Sequence, residues 1–133
     1  MTCQDLSLDD AWRMLVATPS AVVIDVRTKA EWAYVGTPEL ASVGNELRLV
    51  EWIDYPGGQP NPRFVEEASA GLDPSQDVLL LCRSGVRSRA AGEALLSTGF
   101  TNVYNIATGF EGGLDSEGHR HGGWKENLPW RQS

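Results

Sequence analysis

The stretch Leu79–Leu96, LLLCRSGVRSRAAGEALL, runs from an unbroken apolar segment through a cysteine and three arginines into helix-forming residues. An unbroken apolar run is typical of a strand that is buried on both faces of a parallel sheet. The segment Ser88–Gly99 predicts a helix that follows this strand and closes at its final glycine. Cys82 therefore stands at a strand-to-helix junction, which is where open α/β sheets bind their ligands.

Apolar segments and helix signals alternate in the same way along the rest of the chain. Val22–Val26 is a mostly β-branched run that predicts a second buried strand, and the segments 46–53 and 101–108 predict two more. Ser7 is expected to cap a short amphipathic helix. Further helical segments are predicted at 28–36 and 63–72. Strands that alternate with helices predict an α/β fold with a mainly parallel central sheet flanked by helices on both faces.

The composition limits the class of protein. A chain of 133 residues, 41% of them hydrophobic and 22% charged, suits one folded globular domain. A formal net charge of −7 argues against a general nucleic-acid surface, since phosphate binding depends on clustered Lys and Arg. No segment approaches the roughly 18 apolar residues that span a bilayer. The two cysteines do not make the disulfide framework of a secreted domain. We therefore expect a cytoplasmic protein without nucleic-acid or membrane partners.

The loop Cys82–Ser88 has the composition of an anion-binding turn. Gly85 permits backbone angles that other residues avoid, so that successive N–H groups can point inward. Those N–H groups, the positive end of the following helix and nearby guanidinium groups favour a thiolate, the nucleophilic form of cysteine. Most buried cysteines only pack, but packing does not account for Arg83 and Arg87 within five positions of Cys82. Cys82 is therefore the candidate nucleophile.

The loop CRSGVRS, the preceding VLLL and the segment VVIDVRTKAEW together resemble the rhodanese domain. The resemblance covers nearly the whole chain and implies one rhodanese-like domain over 1–133, with a core at about 6–113. The Gly- and Trp-containing extension 114–133 would pack on that core. The activity implied is that of a sulfurtransferase, which moves a sulfane sulfur from an anionic donor such as thiosulfate to cyanide or a thiol. No cofactor and no metal are expected.

The resemblance also implies a role for each residue of the site. Cys82 is the nucleophile and persulfide carrier, and Asp25 and Arg27 brace the loop through buried polar contacts. Glu31, four residues after Arg27, is placed to pair with it. The partners implied are a small sulfur-donor anion and a thiol or cyanide acceptor, with a sulfur-relay protein as an open option. The donor would be bound by the loop backbone and its two arginine side chains, that is by Arg83, Ser84, Gly85, Val86, Arg87 and Ser88.

Two other functions stay open at this point. Related phosphatases and arsenate reductases use a Cys-x5-Arg loop that is one residue longer, whereas Arg87 is the fifth residue after Cys82. The shorter ring suits one sulfur atom better than a phosphate. A non-catalytic rhodanese-like module that binds or regulates a partner is the other alternative, and the intact Cys82 and Arg87 disfavour it.

Several further residues have a simple interpretation. His119 and His121 lack the partnering Cys or carboxylate spacing of a zinc site and are expected in a solvated loop. Trp124 and Trp130 are expected to clamp an otherwise irregular tail onto the sheet. Cys3 lies near the terminus, where residues are usually mobile, so we expect it to be incidental rather than a sulfur relay.

Overall fold

The computed structural model describes residues 3–54 and 56–132, so the predicted domain range also includes four positions outside the described residues. With strands numbered along the chain, the central sheet contains Gln4–Leu6 (β1), Val22–Asp25 (β2), Leu47–Leu49 (β4), Val78–Leu81 (β5) and Val103–Ile106 (β6). Their order is β1-β6-β5-β2-β4, and every pairing is parallel. The predicted parallel α/β sheet is confirmed.

Five helices connect or follow the strands in the described part of the chain. They are Leu8–Ala17 (α1), Lys29–Tyr34 (α2), Phe64–Ser69 (α3), Val86–Leu96 (α4) and Trp124–Asn127 (α5). Ser7 caps α1 as predicted, because its hydroxyl accepts a hydrogen bond from the Asp10 N–H at 3.1 Å. Thr28 caps α2 in a reciprocal capping box with Glu31. Across residues 3–54 and 56–132, every helix is too short or too polar to span a bilayer.

Two apolar clusters lie on opposite faces of the sheet. Because successive side chains of a strand point to opposite faces, Ile24 and Leu80 join one cluster, while Val23 and Leu79 join the other. Residues of α3 and α4 complete the first cluster, and residues of α1 and α5 complete the second. Helices on both faces are thus confirmed, and they explain why the central strands are unbroken apolar runs.

The N-terminal strand is a feature that the sequence did not indicate. β1 pairs in parallel with β6, with Gln4 opposite Tyr104. Cys3, just before β1, is only 3% exposed. It packs so closely on α4 that a Cβ at Gly92 would stand 2.6 Å from its sulfur. The expectation of a mobile position at Cys3 is therefore wrong, because pairing at the sheet edge holds this segment in place.

The C-terminal segment is more regular than predicted. Gly112–Leu114 (β7) and Arg120–Gly122 (β8) form an antiparallel hairpin, and Trp130–Arg131 (β9) pairs with Thr37–Pro38 (β3). At the start of the hairpin, Gly112 has a φ of 89°, and a Cβ there would lie 2.0 Å from the carbonyl oxygen opposite. Glycine is required here for a close approach of two strands. The prediction of irregular chain is wrong because it took the glycines as loop residues.

The aromatic residues of this segment do pack on the domain. Trp124 is fully buried and meets Trp12 of α1 edge to face at a centroid distance of 6.0 Å. Its indole N–H donates to the Pro129 carbonyl at 2.7 Å. Trp130 is 37% exposed and stacks edge to face on Phe110 at 6.4 Å. Trp124 is thus the anchor of the tail, and Trp130 a partly exposed second contact.

Candidate active site

Cys82 lies directly after β5, at the start of the loop that leads into α4. The residue is 1% exposed. Its sulfur accepts a hydrogen bond from the Gly85 N–H at 3.0 Å and lies 3.3 Å from the Ser88 hydroxyl oxygen. The loop therefore closes around the sulfur, and negative charge on that atom would meet an N–H donor that is already in place.

Gly85 makes this ring possible. Its φ of 102° lies in the left-handed region, and a Cβ at this position would stand 2.2 Å from the Ala107 carbonyl oxygen. The helix α4 begins immediately afterwards at Val86 rather than at Ser88, where the sequence placed its start. N–H groups in the first turn of a helix have no intrahelical acceptor. The positive end of α4 is consequently directed at the cysteine.

The outer side of the loop is bound to the chain that follows β6. The carbonyl groups of Cys82 and Arg83 accept from the N–H groups of Phe110 and Glu111, at 2.7 and 3.0 Å. A Cβ at Gly109 would stand 2.5 Å from the Arg83 carbonyl carbon, so the two backbones are in direct contact. These two carbonyl groups are therefore turned toward the chain after β6 and not toward the sulfur, which the Gly85 N–H faces instead.

A buried polar chain continues behind the sulfur. The Ser88 hydroxyl also bonds the side-chain oxygen of Asn105. The amide nitrogen of Asn105 donates to the Gly85 carbonyl at 3.1 Å and to the Asp5 carboxylate at 3.0 Å. Hydrogen bonds from Arg89, and then from Asn105, hold the pKa of Asp5 below its ordinary value. Sequence reasoning missed Asn105 and Asp5, although a polar residue inside the apolar segment VYNI is a signal that it could have used.

Arg87, the second arginine of the loop, is held by a carboxylate. Its two terminal nitrogens donate to the two oxygens of Glu31 at 2.8 and 3.0 Å. Burial alone would raise the pKa of Glu31, but the hydrogen bonds and charge of Arg87 outweigh it and hold that pKa below its ordinary value. The predicted pairing of Glu31 with Arg27 is wrong. The spacing rule for i and i+4 applies within one helix, whereas Arg27 precedes Thr28, the N-cap of α2.

Arg27 instead forms a fully buried ion pair with Asp25 at the end of β2. Its Nε and Nη2 atoms donate to the two carboxylate oxygens at 2.9 and 2.7 Å, and Nη2 also donates to the Gly36 carbonyl at 2.8 Å. The guanidinium carbon lies 4.2 Å from the centre of the Phe110 ring. Phe110 thus contacts Arg27 with its ring and donates its N–H to the Cys82 carbonyl, so this one residue connects the ion pair to the loop. That contact agrees with the expected bracing role, which stays a prediction.

A cleft of about 630 Å³ opens beside the loop. Arg83 and Arg87 line it, while Val86 is 76% exposed and Ser84 half-buried. Of the six predicted donor-binding residues, Gly85 and Ser88 thus contact the sulfur, Arg83 and Arg87 face the cleft, and Ser84 and Val86 do neither. Apolar, polar and acidic side chains complete the lining: Thr28, Ala30, Glu31, Tyr34, Val35 and Glu111.

The two histidines lie on the β7–β8 hairpin and are exposed, as expected. Asp115 lies beside them, although the sequence spacing did not indicate it, and the donor atoms of Asp115, His119 and His121 lie within 4.8 Å of one another. His121 uses both ring nitrogens, at 2.9 Å from Asp115 and 3.4 Å from Glu126. Hydrogen bonds that His121 donates to Glu126 and then to Asp115 raise its pKa. The group is an ion-pair network that closes the hairpin.

Comparison with known proteins finds similarity over most or all of the chain. The family model Rhodanese-like domain matches residues 7–115. The crystal structure of Rv0390 from M. tuberculosis is 44% identical, with a TM-score of 0.91 and 100% of each chain covered. The uncharacterized RP600 homolog of Rickettsia rickettsii is 34% identical over 98% of this chain and 99% of its own. Thiosulfate sulfurtransferase 18 of Arabidopsis thaliana is 33% identical over 69% of this chain and 65% of its own length.

Proposed function

The chain belongs to the rhodanese-like domain family, and we propose that it is a sulfurtransferase whose Cys82 carries the transferred sulfur as a persulfide. One observation carries this proposal. The Cys82 sulfur accepts from the Gly85 N–H at 3.0 Å and lies 3.3 Å from the Ser88 hydroxyl, at the positive end of α4. The Gly85 N–H and the helix terminus stabilise negative charge on the Cys82 thiolate, which is the form that attacks the donor and that leaves when the persulfide is consumed. The curated plant relative, a thiosulfate sulfurtransferase, supports the same reaction class.

The reaction has two half-steps that balance without a cofactor. The Cys82 thiolate attacks the outer sulfur of a donor such as thiosulfate, a new S–S bond forms, and sulfite leaves with the electron pair of the broken S–S bond. An acceptor, cyanide or a thiolate, then attacks the outer sulfur of the persulfide. The electron pair of that bond returns to Cys82 as a thiolate. The cycle requires a free thiol, in keeping with two free cysteines and with the cytoplasmic location expected from the sequence.

The alternatives fit the geometry less well. An oxyanion phosphatase needs the guanidinium of its loop arginine for the substrate, whereas both terminal nitrogens of Arg87 already bind Glu31. The ring from Cys82 to Arg87 is also one residue shorter than a phosphatase loop. We prefer sulfur transfer to a non-catalytic binding module because the Gly85 N–H and the positive end of α4 are directed at the Cys82 sulfur, which binding of a partner does not require.

Thiosulfate loading followed by intact mass tests the proposal. We expect the wild type to gain the mass of one sulfur atom and to lose it again when cyanide is added. Cys82→Ser should gain nothing, whereas Cys3→Ser, which keeps the loop, should load like the wild type. A wild type that stays unmodified with both inorganic and organic sulfane donors would contradict the sulfurtransferase. A phospho-enzyme formed at Cys82 from an aryl phosphate would favour the phosphatase instead.

A further inference from the structure

Glu31 presents a fixed negative charge at the edge of the candidate active site. Its Oε1 atom accepts from the Thr28 N–H and from the Thr28 hydroxyl, both at 3.2 Å, as well as from Arg87. The side chains of Glu31 and Arg87 are 20% and 27% exposed, so water screens their attraction only in part. The cap of α2 and the first turn of α4 thereby hold this carboxylate from both sides.

The charges that line the cleft cancel. Two arginines, Arg83 and Arg87, face two carboxylates, Glu31 and Glu111. The bidentate pair uses two of the five N–H donors of Arg87, so a small donor with two negative charges meets a guanidinium whose charge Glu31 already balances. Arg83 supplies the remaining positive charge of the lining. The site is therefore a poor match for a compact dianion such as thiosulfate.

The rest of the cleft suits a donor that carries an organic group. Tyr34, Val35 and Ala30 give one side of the cleft apolar surface, and Tyr34 is 81% exposed. A volume of about 630 Å³ is far more than the small thiosulfate ion fills. Arg83 supplies one positive charge for a donor that has one negative charge.

We propose that Glu31 selects the sulfur donor by charge, favouring singly charged organic donors of the form R–SO2–S⁻ or R–S–S⁻ over thiosulfate. This inference rests on the proposed sulfurtransferase function. With an organic thiosulfonate, the Cys82 thiolate attacks the outer sulfur, the S–S bond of the donor breaks, and a sulfinate leaves with the electron pair. Glu31 touches no reacting atom and acts through Arg87, so it is a specificity-determining residue rather than a catalytic one.

Two donors that differ in charge and little else provide the test. Thiosulfate and methanethiosulfonate both carry a sulfane sulfur on a sulfonyl group, but the second has a methyl group in place of one charged oxygen. The quantity to measure is kcat/KM for each donor, with cyanide as acceptor, in the wild type and in Glu31→Gln. Glutamine keeps the capping box of α2, since Glu and Gln both serve at that position. The variant therefore removes the charge and leaves the cap.

Glu31→Gln should raise kcat/KM for thiosulfate about tenfold, the order expected when one charged hydrogen-bonding group is freed, and leave methanethiosulfonate nearly unchanged. Glu111→Gln is the matched control, because it removes a carboxylate from the same cleft that makes no ion pair with Arg87. We expect it to shift the ratio toward thiosulfate by less than Glu31→Gln does, because Glu111 contributes one charge to the cleft but does not hold Arg87. If Glu31→Gln does not fold, the wild type still tests the inference through its own ratio of kcat/KM for the two donors, which should favour methanethiosulfonate.

The possible failures are distinct. An unchanged donor ratio in Glu31→Gln, or an equal shift in Glu111→Gln, would overturn selection by Glu31 while the sulfurtransferase stands. A wild type that prefers thiosulfate to methanethiosulfonate would overturn it as well. If neither donor loads Cys82 of the wild type, the proposed function itself fails, and the inference that rests on it fails too.

Discussion

Asp25 and Arg27 place two opposite charges at 0% exposure at the carboxyl end of β2. A buried pair of this kind is not evidence of high stability, because desolvation opposes the attraction, but removal of one partner leaves an uncompensated buried charge. Within the described residues, Nη1 of Arg27 has no hydrogen-bond partner, so the guanidinium depends on Asp25, Gly36 and the Phe110 ring. Loss of Asp25 would therefore leave the Arg27 guanidinium without its counter-charge, close to the loop.

Asp25→Ala should lower the free energy of unfolding by about 3–5 kcal/mol, since it strands the Arg27 charge in the core. Urea denaturation at neutral pH measures this change, and persulfide loading of the protein that remains folded tests the bracing of the loop. Glu66→Gln is the control, because it removes one partner of an exposed pair with Arg63 and should leave stability unchanged. Equal effects of the two variants would show that burial of the first pair has no energetic consequence.

Elements whose signals are local were predictable from the sequence, and contacts between distant elements were not. The strand β5, its loop and α4 follow one another in the chain, so Cys82 could be placed at their junction. Asn105 and Glu31 reach the same loop from β6 and α2, and no spacing rule connects them to it. The strands β7 and β8 were missed for a different reason. Glycines such as Gly112, which let the two strands approach closely, are also typical of loops, so the sequence of the hairpin reads as a loop.

The hairpin should become more stable as the pH falls toward 6.5. Hydrogen bonds to Glu126 and Asp115 raise the pKa of His121 in the folded state above the ordinary value of about 6.5. A raised pKa stabilises the fold below the unfolded value, and this stabilisation is lost as the pH rises through the folded pKa. Both carboxylates have lowered pKa values and stay charged throughout this window.

Hydrogen exchange of the Gly122 amide, which donates to Glu126 at 2.7 Å, provides the measurement. Protection, corrected for the intrinsic exchange rate at each pH, should fall in the wild type as the pH rises above about 6.5 and through the raised pKa of His121. His121→Gln should flatten this dependence, whereas His119→Gln, on the same hairpin, should preserve it. A profile that does not change in His121→Gln would show that the imidazole contributes no stability to the hairpin.

At the scale of the whole molecule, the parallel sheet collects the site at one edge. Parallel strands present their carboxyl ends on the same side, so the ends of β2, β5 and β6 bring Asp25, Cys82 and Asn105 to one edge. β1 joins the same sheet beside β6 and supplies Asp5 to Asn105. The edge strand is therefore connected to the loop by a continuous chain of hydrogen bonds, and it supports the site in a way that a mobile terminus could not.

Cys3 gives a direct measure of how firmly that edge strand is held. Burial raises the pKa of the Cys3 thiol to about 11, so little reactive thiolate exists at neutral pH while β1 is in place. In Cys82→Ser, where Cys3 is the remaining thiol, alkylation by iodoacetamide should be strongly protected in the native protein. The rate should rise with urea in parallel with global unfolding. Alkylation at the rate of a free thiol without urea would show that β1 opens independently of the sheet, and would return Cys3 to consideration as a sulfur relay.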